Sequence, residues 1–349
     1  MSKPIQIDGR YGEGGGQILR TSLALASLLR RPLEMHHIRG GRRKPGLRPQ
    51  HLMAVRAMAE ITRAKTKGDE PGSKHLFFDP GQIRPGSYRF DVGTAGSTAL
   101  VLQTMIPALL FGEGASKVVI TGGTHVPWSP CFHYLSGVFA PALEEMEGVL
   151  TLEIERWGWY PKGGGKIMAG ISPVSGLCSI ERTQKGELKT FRVLSAVSNL
   201  PLSIGERQRD QVTKRFHRQS LKAPEIEIVN APSLGTGTLV FLISRFDGGS
   251  AGVTSLGQKG KRAEKVADDA CSKLFQFVAS DAAVDEHLAD QLVLYMALSK
   301  GRSSIITERI TTHLKTNIWL VEQFLPVTFH VDEIEGSVSV EGVGFTPAQ

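Results

Sequence analysis

The segment 311–317, Thr-Thr-His-Leu-Lys-Thr-Asn, contains a histidine where a helix is expected to begin. It follows a short apolar stretch at 304–306 and precedes an apolar helical pattern over 318–325. Thr312 is the predicted N-cap, which places His313 in the first helical turn. A helix N-terminus attracts phosphate and disfavours a protonated imidazole. His313 is therefore a candidate phosphorus-attacking nucleophile; the alternative is a polar helix-start residue without chemistry.

A glycine turn near the N-terminus carries a second group of chemically useful side chains. Glu13 lies inside the turn Gly12–Gly16, and Gln17 and Arg20 follow in the predicted helix. Glycines permit close backbone approach, the helix start suits phosphate, and Glu13 would hold a divalent cation there. The alternative is a carboxylate that the helix dipole alone stabilises.

Basic side chains are concentrated in one loop, residues 38–49, which glycine and proline interrupt. The basic residues are Arg39, Arg42, Arg43, Lys44 and Arg48. Many such runs are solvated loops, but this one is expected to be anchored at both ends by patterned elements. A fixed set of guanidinium groups suits a phosphate-bearing ligand. The net charge of +7 adds a weak indication of a polyanionic partner.

Other motifs are interpreted structurally. The glycine-rich run 156–165 is predicted to be a hairpin connection, and no GxxxxGK[ST] phosphate loop occurs. Cys131-Phe132-His133 and His36-His37 are metal ligands by residue type. Neither pair has the spacing of a structural zinc site, so these residues are interpreted as core or surface side chains.

Composition narrows the class of protein. The chain has 349 residues, with 41% apolar and 21% charged, values typical of a globular protein of more than one folding unit. It has no apolar run long enough for a membrane span and no signal-peptide core. Its three cysteines form no CxxC pair. We expect a cytoplasmic protein without a membrane partner, and a nuclear location stays open for a eukaryotic source.

One order of predicted elements occurs three times. The first copy comprises helix 17–29, strand 33–38, helix 50–62 and strands 75–78 and 88–92. The second comprises helix 98–110, strand 117–121, a helix near 134–147 and strands 151–156 and 166–171. The third comprises helix 285–299, strand 303–307, helix 313–324 and strands 327–332 and 337–341.

The repeats predict the fold class, an α/β (α+β) protein in which βαβαββ-like units form one large domain. That domain is expected to comprise residues 1–176 and 278–349, and a smaller α/β domain, 177–277, is inserted between the second and third repeats. His313, Gln50 and Pro130 occupy matching positions near the start of the second helix of each unit. The three helix ends are expected to converge on one cleft.

Five segments together resemble the RNA 3'-terminal phosphate cyclase family over nearly the whole chain. They are Asp8-Gly9-x4-Gly-Gly-Gly-Gln-Ile-Leu-Arg20, Arg39-x5-Pro-Gly-Leu-x2-Gln50-His51, Gly93-Thr-Ala-Gly-Ser97, Gly158-x2-Pro-x-Gly-Gly-Gly165 and His313-Leu-x-Thr-Asn317. The fourth segment is similar to the family's signature. The repeats with an inserted domain also resemble the family fold.

The resemblance implies an ATP-dependent enzyme that converts an RNA 3'-terminal phosphate to a 2',3'-cyclic phosphate. His313 would form a covalent adenylate, AMP would pass to the RNA phosphate, and the neighbouring 2'-OH would displace AMP. The implied cofactors are ATP and a divalent cation, Mg²⁺ or Mn²⁺. RNA 3'-phosphate ends are the implied partner, while acceptance of DNA 3'-phosphate ends and oligomerisation stay open.

The resemblance also implies roles for individual positions. Glu13 would hold the metal, and the residues that would bind the substrate phosphates are Gln17, Arg20, Arg39, Arg42 and Gln50. The residues that would border the nucleotide are Gln103, Pro130, His287, Asp290 and Gln291. His287 stands where relatives can carry an adenine-stacking tyrosine, and imidazole offers less stacking area.

Two other classes of function stay open. One is a non-catalytic, cyclase-like ribosome-biogenesis scaffold, against which the retained His313 and arginines argue. The other is an enolpyruvyl-transferase-like enzyme of related repeat architecture, against which the five cyclase-like segments and the positive charge argue. Covalent adenylation separates an enzyme from a scaffold, and salt-sensitive binding of RNA ends separates a cyclase from a metabolite enzyme.

Overall fold

Four four-stranded sheets form the framework of the protein in the computed structural model, which describes residues 3–347. Three of the sheets share one topology. Within each, the first two strands of the unit pair in parallel, and the last two strands add antiparallel in the order 1-2-4-3. This arrangement confirms the mixed α/β class.

The first unit begins one strand earlier than the sequence pattern indicated. Its elements are β1 (Ile5–Asp8), α1 (Gly16–Leu29), β2 (Leu33–His36), α2 (Pro49–Thr62), β3 (Lys65–Lys67) and β4 (Leu76–Asp79). The glycine turn therefore joins β1 to α1. Pro49 occupies the first turn of α2, where a missing N–H costs nothing.

The second unit contains the strand that was predicted to close the first. Its elements are β5 (Ser87–Asp91), α3 (Thr98–Leu110), β6 (Ser116–Gly122), α4 (Phe132–Tyr134), a π-helical turn (Leu135–Phe139), α5 (Ala140–Glu145), β7 (Leu150–Arg156) and β8 (Gly165–Ile171). Because β5 pairs in parallel with β6, the assignment of strand 88–92 to the first unit is wrong. Local pattern identifies a strand but does not say which neighbouring sheet it joins.

The chain enters the third sheet before it forms the insert. Strand β9 (Glu181–Arg182) pairs in parallel with a later strand of the third unit. The insert follows, with β10 (Leu188–Ser198), α6 (Ser203–Arg218), β11 (Glu225–Asn230), β12 (Gly237–Phe246), β13 (Gly249–Leu256) and α7 (Ala263–Ala279). The sequence pattern missed α6 and β13. Residues 181–182 thus belong to the third sheet, and the domain limits remain a prediction.

The third unit resumes after the insert. Its elements are α8 (Glu286–Leu298), β14 (Lys300–Ile306), α9 (Thr312–Phe324), β15 (Phe329–Asp332) and β16 (Ser337–Val343). The N-cap of α9 is Thr311, whose side chain accepts a hydrogen bond from Leu314 N at 3.1 Å. The prediction of Thr312 as N-cap is therefore wrong by one residue, because either threonine satisfies the local preference. His313 nevertheless lies in the first turn.

The helices of the three units share one core. Helix α1 packs against both α3 and α9, while α2 packs on α3 and α8 on α9. Apolar residues of all three units form one continuous cluster that includes Leu23, Met105 and Leu320, each 0% exposed. Helices α6 and α7 cover the insert sheet around a second cluster. Packing of helices from different units brings their N-terminal ends into reach of one another.

None of the helices within residues 3–347 has the length and hydrophobicity needed to cross a bilayer.

Candidate active site

His313 meets the glycine turn of the first unit. Its Nδ1 lies 2.8 Å from Gln17 Oε1, and its Nε2 lies 2.6 Å from Glu13 Oε2. The His313 side chain is 47% exposed, so a ligand can reach it. Burial lowers the pKa of His313, an effect that Glu13 opposes and that Arg42 and Arg20 reinforce. The imidazole is therefore biased toward its neutral form.

Glu13 links the histidine to the basic loop. Its Oε1 accepts a hydrogen bond from the Arg42 guanidinium. Its Oε2 is shielded from solvent and has no aligned hydrogen-bond donor within residues 3–347, although it lies close to His313. A buried carboxylate oxygen without a donor costs free energy, and it can offer its lone pair to a cation. This oxygen fits the predicted role of Glu13 as a metal ligand.

The glycines of the turn are needed because side chains crowd against it. Gly12 has a φ of +53°, and a Cβ there would lie 2.2 Å from Thr316 Oγ1. At Gly16 a Cβ would lie 2.2 Å from Nε2 of the buried His51. Thr316 thus packs from α9 onto the turn, one helical turn after His313. The turn is held from both sides.

A cavity of about 70 Å³ with both polar and apolar lining residues adjoins Gln17. The predicted site residues that line it are Gln17, Arg20, Gln103, Asp290 and Gln291. Gln103 Nε2 donates to Gln291 Oε1 at 2.6 Å, which joins α3 to α8. The cavity therefore collects residues from all three units, mainly from their first helices α1, α3 and α8. His313, Gln50 and Pro130 do not line it, so the predicted convergence of the three second-helix starts on one cleft remains a prediction.

The charges in this cavity are strongly perturbed. Burial raises the pKa of Asp290 to about 8, although nearby Arg20 opposes this shift. Burial lowers the pKa of Arg20 to about 10, although Asp290 partly compensates. Among residues 3–347 no carboxylate forms an ion pair with Arg20. A half-buried arginine without an ion pair is suited to an anionic ligand.

Four other predicted site residues do not line this cavity. Two of them, Arg39 and Gln50, form hydrogen bonds to backbone groups instead. Arg39 NH1 donates to the carbonyls of Lys44 and Gly46 and so closes the basic loop on itself. Gln50 Oε1 accepts from Ser97 N at 2.9 Å, which ties α2 to the turn before α3. His287 is exposed, and neither His287 nor Pro130 lines the cavity. Their ligand-binding roles remain predictions.

Asn317 and Thr21 are site residues that the sequence interpretation did not assign. Asn317 Nδ2 donates to the carbonyl of Asp290 at 2.6 Å, and Thr21 Oγ1 donates to Asn317 Oδ1 at 2.9 Å. Both line the cavity. Asn317 follows His313 by four residues, a spacing that places both on one helix face. This four-residue spacing from His313 was the sequence feature that could have identified Asn317 as a site residue.

His51 is a further buried polar residue at the base of the site. Burial and the neighbouring Arg20 lower its pKa to about 2, so the imidazole is neutral. Its Nδ1 is buried without a hydrogen-bond partner among the described residues. A neutral ring lets His51 pack under Gly16 beside the arginines without adding another positive charge.

This arrangement has the groups that an enzyme acting on a phosphate-bearing ligand would need at one histidine. The imidazole is accessible, one of its nitrogens is hydrogen-bonded to an amide, and the other faces a carboxylate. Arg20, which has no ion pair within residues 3–347, lines the cavity that Gln17 also borders.

Known proteins identify the class more closely. A family model described as RNA 3'-terminal phosphate cyclase matches residues 11–331. Proteins named RNA 3'-terminal phosphate cyclase are similar over almost their whole length. The one from Pyrobaculum aerophilum is 43% identical over 344 residues, which cover 98% of this chain and 99% of the relative. The one from Salmonella agona is 40% identical over 340 residues, 97% of each chain.

The chain belongs to the RNA 3'-terminal phosphate cyclase family. This membership confirms the resemblance drawn from the five sequence segments.

Proposed function

We propose that this protein uses ATP to convert the 3'-terminal phosphate of RNA to a 2',3'-cyclic phosphate through a covalent adenylate on His313. The observation that carries the proposal is the contact of the His313 ring with Gln17 and Glu13. Gln17 in turn lines the cavity that contains Arg20. Family membership supports the overall reaction. The covalent step rests on the geometry of this site.

Nε2 of His313 is the proposed nucleophilic atom. When Gln17 Oε1 accepts a hydrogen bond from Nδ1–H, the lone pair of the neutral ring resides on Nε2. Nε2 then faces Glu13 Oε2, and two lone pairs at 2.6 Å repel unless a proton or a cation lies near them. A cation on Glu13 would therefore free Nε2 for attack.

The residues fit the two expected cofactors. Glu13 Oε2 has unused acceptor capacity for Mg²⁺ or Mn²⁺, which would neutralise charge on the triphosphate. A cavity of about 70 Å³ is too small for a complete nucleotide. It would hold one part of ATP near Gln103, Asp290 and Gln291, and the remainder would lie in the open cleft toward His313.

The proposed reaction has three steps. His313 Nε2 forms a bond to the α-phosphorus of ATP, and the bond to pyrophosphate breaks. An oxygen of the RNA 3'-phosphate then takes AMP from His313, which gives an RNA-adenylate. Finally the terminal 2'-OH loses its proton and attacks the activated RNA phosphorus, and AMP leaves. Adenylation is needed because a phosphate monoester lacks a good leaving group, and the covalent intermediate divides a difficult step.

The decisive experiment is labelling with ATP that carries ³²P in the α-phosphate. Wild-type protein with Mg²⁺ is expected to retain label on a denaturing gel, and the label should be labile to acid and stable to alkali. His313→Ala is expected to abolish labelling while keeping the fold. His330→Ala, a change at an exposed histidine on β15, is the matched control and should label normally.

The acceptor is tested with three oligonucleotide ends. An RNA 3'-phosphate should consume the label and yield a cyclic end, while a 3'-hydroxyl should not react. A 3'-phosphate on a terminal 2'-deoxynucleotide has no internal nucleophile, so it should stop at the adenylated end if DNA ends are accepted. Folded wild-type protein that binds ATP but takes no label would refute the covalent mechanism and favour the scaffold alternative.

A further inference from the structure

A second cluster of chemically reactive side chains lies outside the cyclase site. His125, Cys131 and His133 each offer a ligand atom, and the three atoms lie within 4.8 Å of one another. His125 and Cys131 are 1% and 2% exposed. Sequence spacing suggested no metal site because Cys131 and His133 provide only two donors. The fold adds His125 from the loop between β6 and α4 as the third.

We propose that His125, Cys131 and His133 bind one Zn²⁺ ion where the second repeat meets the inserted domain. Two imidazoles and one thiolate form a donor set that zinc prefers. His125 Nε2 and His133 Nδ1 face each other at 3.0 Å. Tetrahedral zinc would hold its donors roughly 3.3–3.6 Å apart, so small side-chain movements complete the site.

Contacts around the donors resemble the outer shell of a metal centre. His125 Nδ1 lies 2.8 Å from Thr124 Oγ1, which leaves Nε2 for the ion. The His125 ring stacks on Trp157 with centroids 3.9 Å apart, which fixes the ring plane. Cys131 Sγ lies 3.2 Å from Thr254 Oγ1 of β13. The hydroxyl can donate to a thiolate and so stabilise its negative charge.

Space is available for a fourth ligand. His133 also lines a cavity of about 520 Å³ between the insert sheet and strand β7. Water from this cavity can occupy the remaining coordination position. Because Thr254 belongs to the insert and the protein donors belong to the second repeat, the ion would stiffen the junction between them. It would also fix the loop that carries Pro130.

The metal content of freshly reduced full-length protein is the primary test. We expect a single equivalent of Zn²⁺ with a Kd below about 1 µM. Cys131→Ser should weaken binding by more than about 100-fold, since loss of an outer partner alone costs roughly 10- to 100-fold. Matched controls are Cys271→Ser, a buried cysteine of the insert, and His75→Ala, which disrupts the surface group Glu34, His36 and His75. Both controls should retain the ion.

A variant-free measurement covers the case in which Cys131→Ser does not fold. Wild-type protein titrated with Co²⁺ should develop visible ligand-field bands and a thiolate-to-cobalt charge-transfer band, and fluorescence from Trp157 should be quenched. A protein that retains no Zn²⁺ and shows no cobalt–thiolate band would overturn the proposal. Loss of metal in His75→Ala with retention in Cys131→Ser would also overturn it. Neither measurement depends on cyclase activity.

Discussion

The carboxyl group of Asp290 is expected to make the free protein less stable as the pH rises. Burial raises its pKa from 3.8 to about 8. No side-chain hydrogen bond within residues 3–347 stabilises the charged form. The folded state therefore retains a proton that the unfolded state releases above about pH 4. Because the folded state binds more protons, stability falls as the pH rises to about 8 and is constant above it.

The size of this effect follows from the shift in pKa. One pKa unit corresponds to about 1.4 kcal/mol. The buried Asp290 carboxyl group then lowers the free energy of unfolding by about 2 kcal/mol at about pH 5 and by about 4 kcal/mol at about pH 7. Asp290→Asn removes the titration at nearly constant volume. The Asp290 side chain keeps some contact with solvent, which weakens the effect. The cost at the two pH values differs by about 2 kcal/mol, and we take half of it, about 1 kcal/mol, as the smallest difference to be measured.

Urea unfolding of both proteins at about pH 5 and about pH 7 measures this difference directly. The Asp290→Asn protein should have a larger free energy of unfolding than wild type. This difference should be greater at about pH 7 than at about pH 5. Asp281→Asn, a change at an exposed carboxylate between the insert and α8, serves as the control and should give the same small change at both values. A difference for Asp290→Asn that is independent of pH, or that shrinks as pH rises, would refute the argument from burial.

Three further perturbations test the site and the core. Thr311→Ala should cost about 1 kcal/mol of stability in chemical unfolding and reduce adenylate labelling, because it removes the cap that orients the first turn of α9, whereas Thr312→Ala should change neither much. Glu13→Gln should shift labelling to higher Mg²⁺ concentration in a metal titration; an unchanged requirement would exclude Glu13 as the metal ligand. Phe78→Ala should destabilise the protein by about 3–5 kcal/mol, since the ring is 0% exposed, while labelling per folded molecule persists.

Local pattern was sufficient for much of the architecture. The spacing of apolar residues and the glycines and prolines between segments located α3 at its observed limits, 98–110. They located most other elements within a few residues. They failed where the signal is not local. Strand β9 has two residues and no periodicity, and the sheet that β5 joins depends on pairing with β6. Helix α6 is strongly polar, with Gly205, Gln208, Val212 and Phe216 as its buried residues, so its apolar face was too sparse to recognise.

The amino-acid sequence by itself determined the repeat, the family and the placement of His313 in the first turn of a helix. These properties depend on local propensity and on motif residues that are close together in the chain. Only the tertiary structure decided which of those residues meet. Gln17 contacts His313 across 296 positions, and His125 joins Cys131 and His133 through the path of a loop. Such contacts arise from the packing of helices of different units against α1, which no single segment encodes.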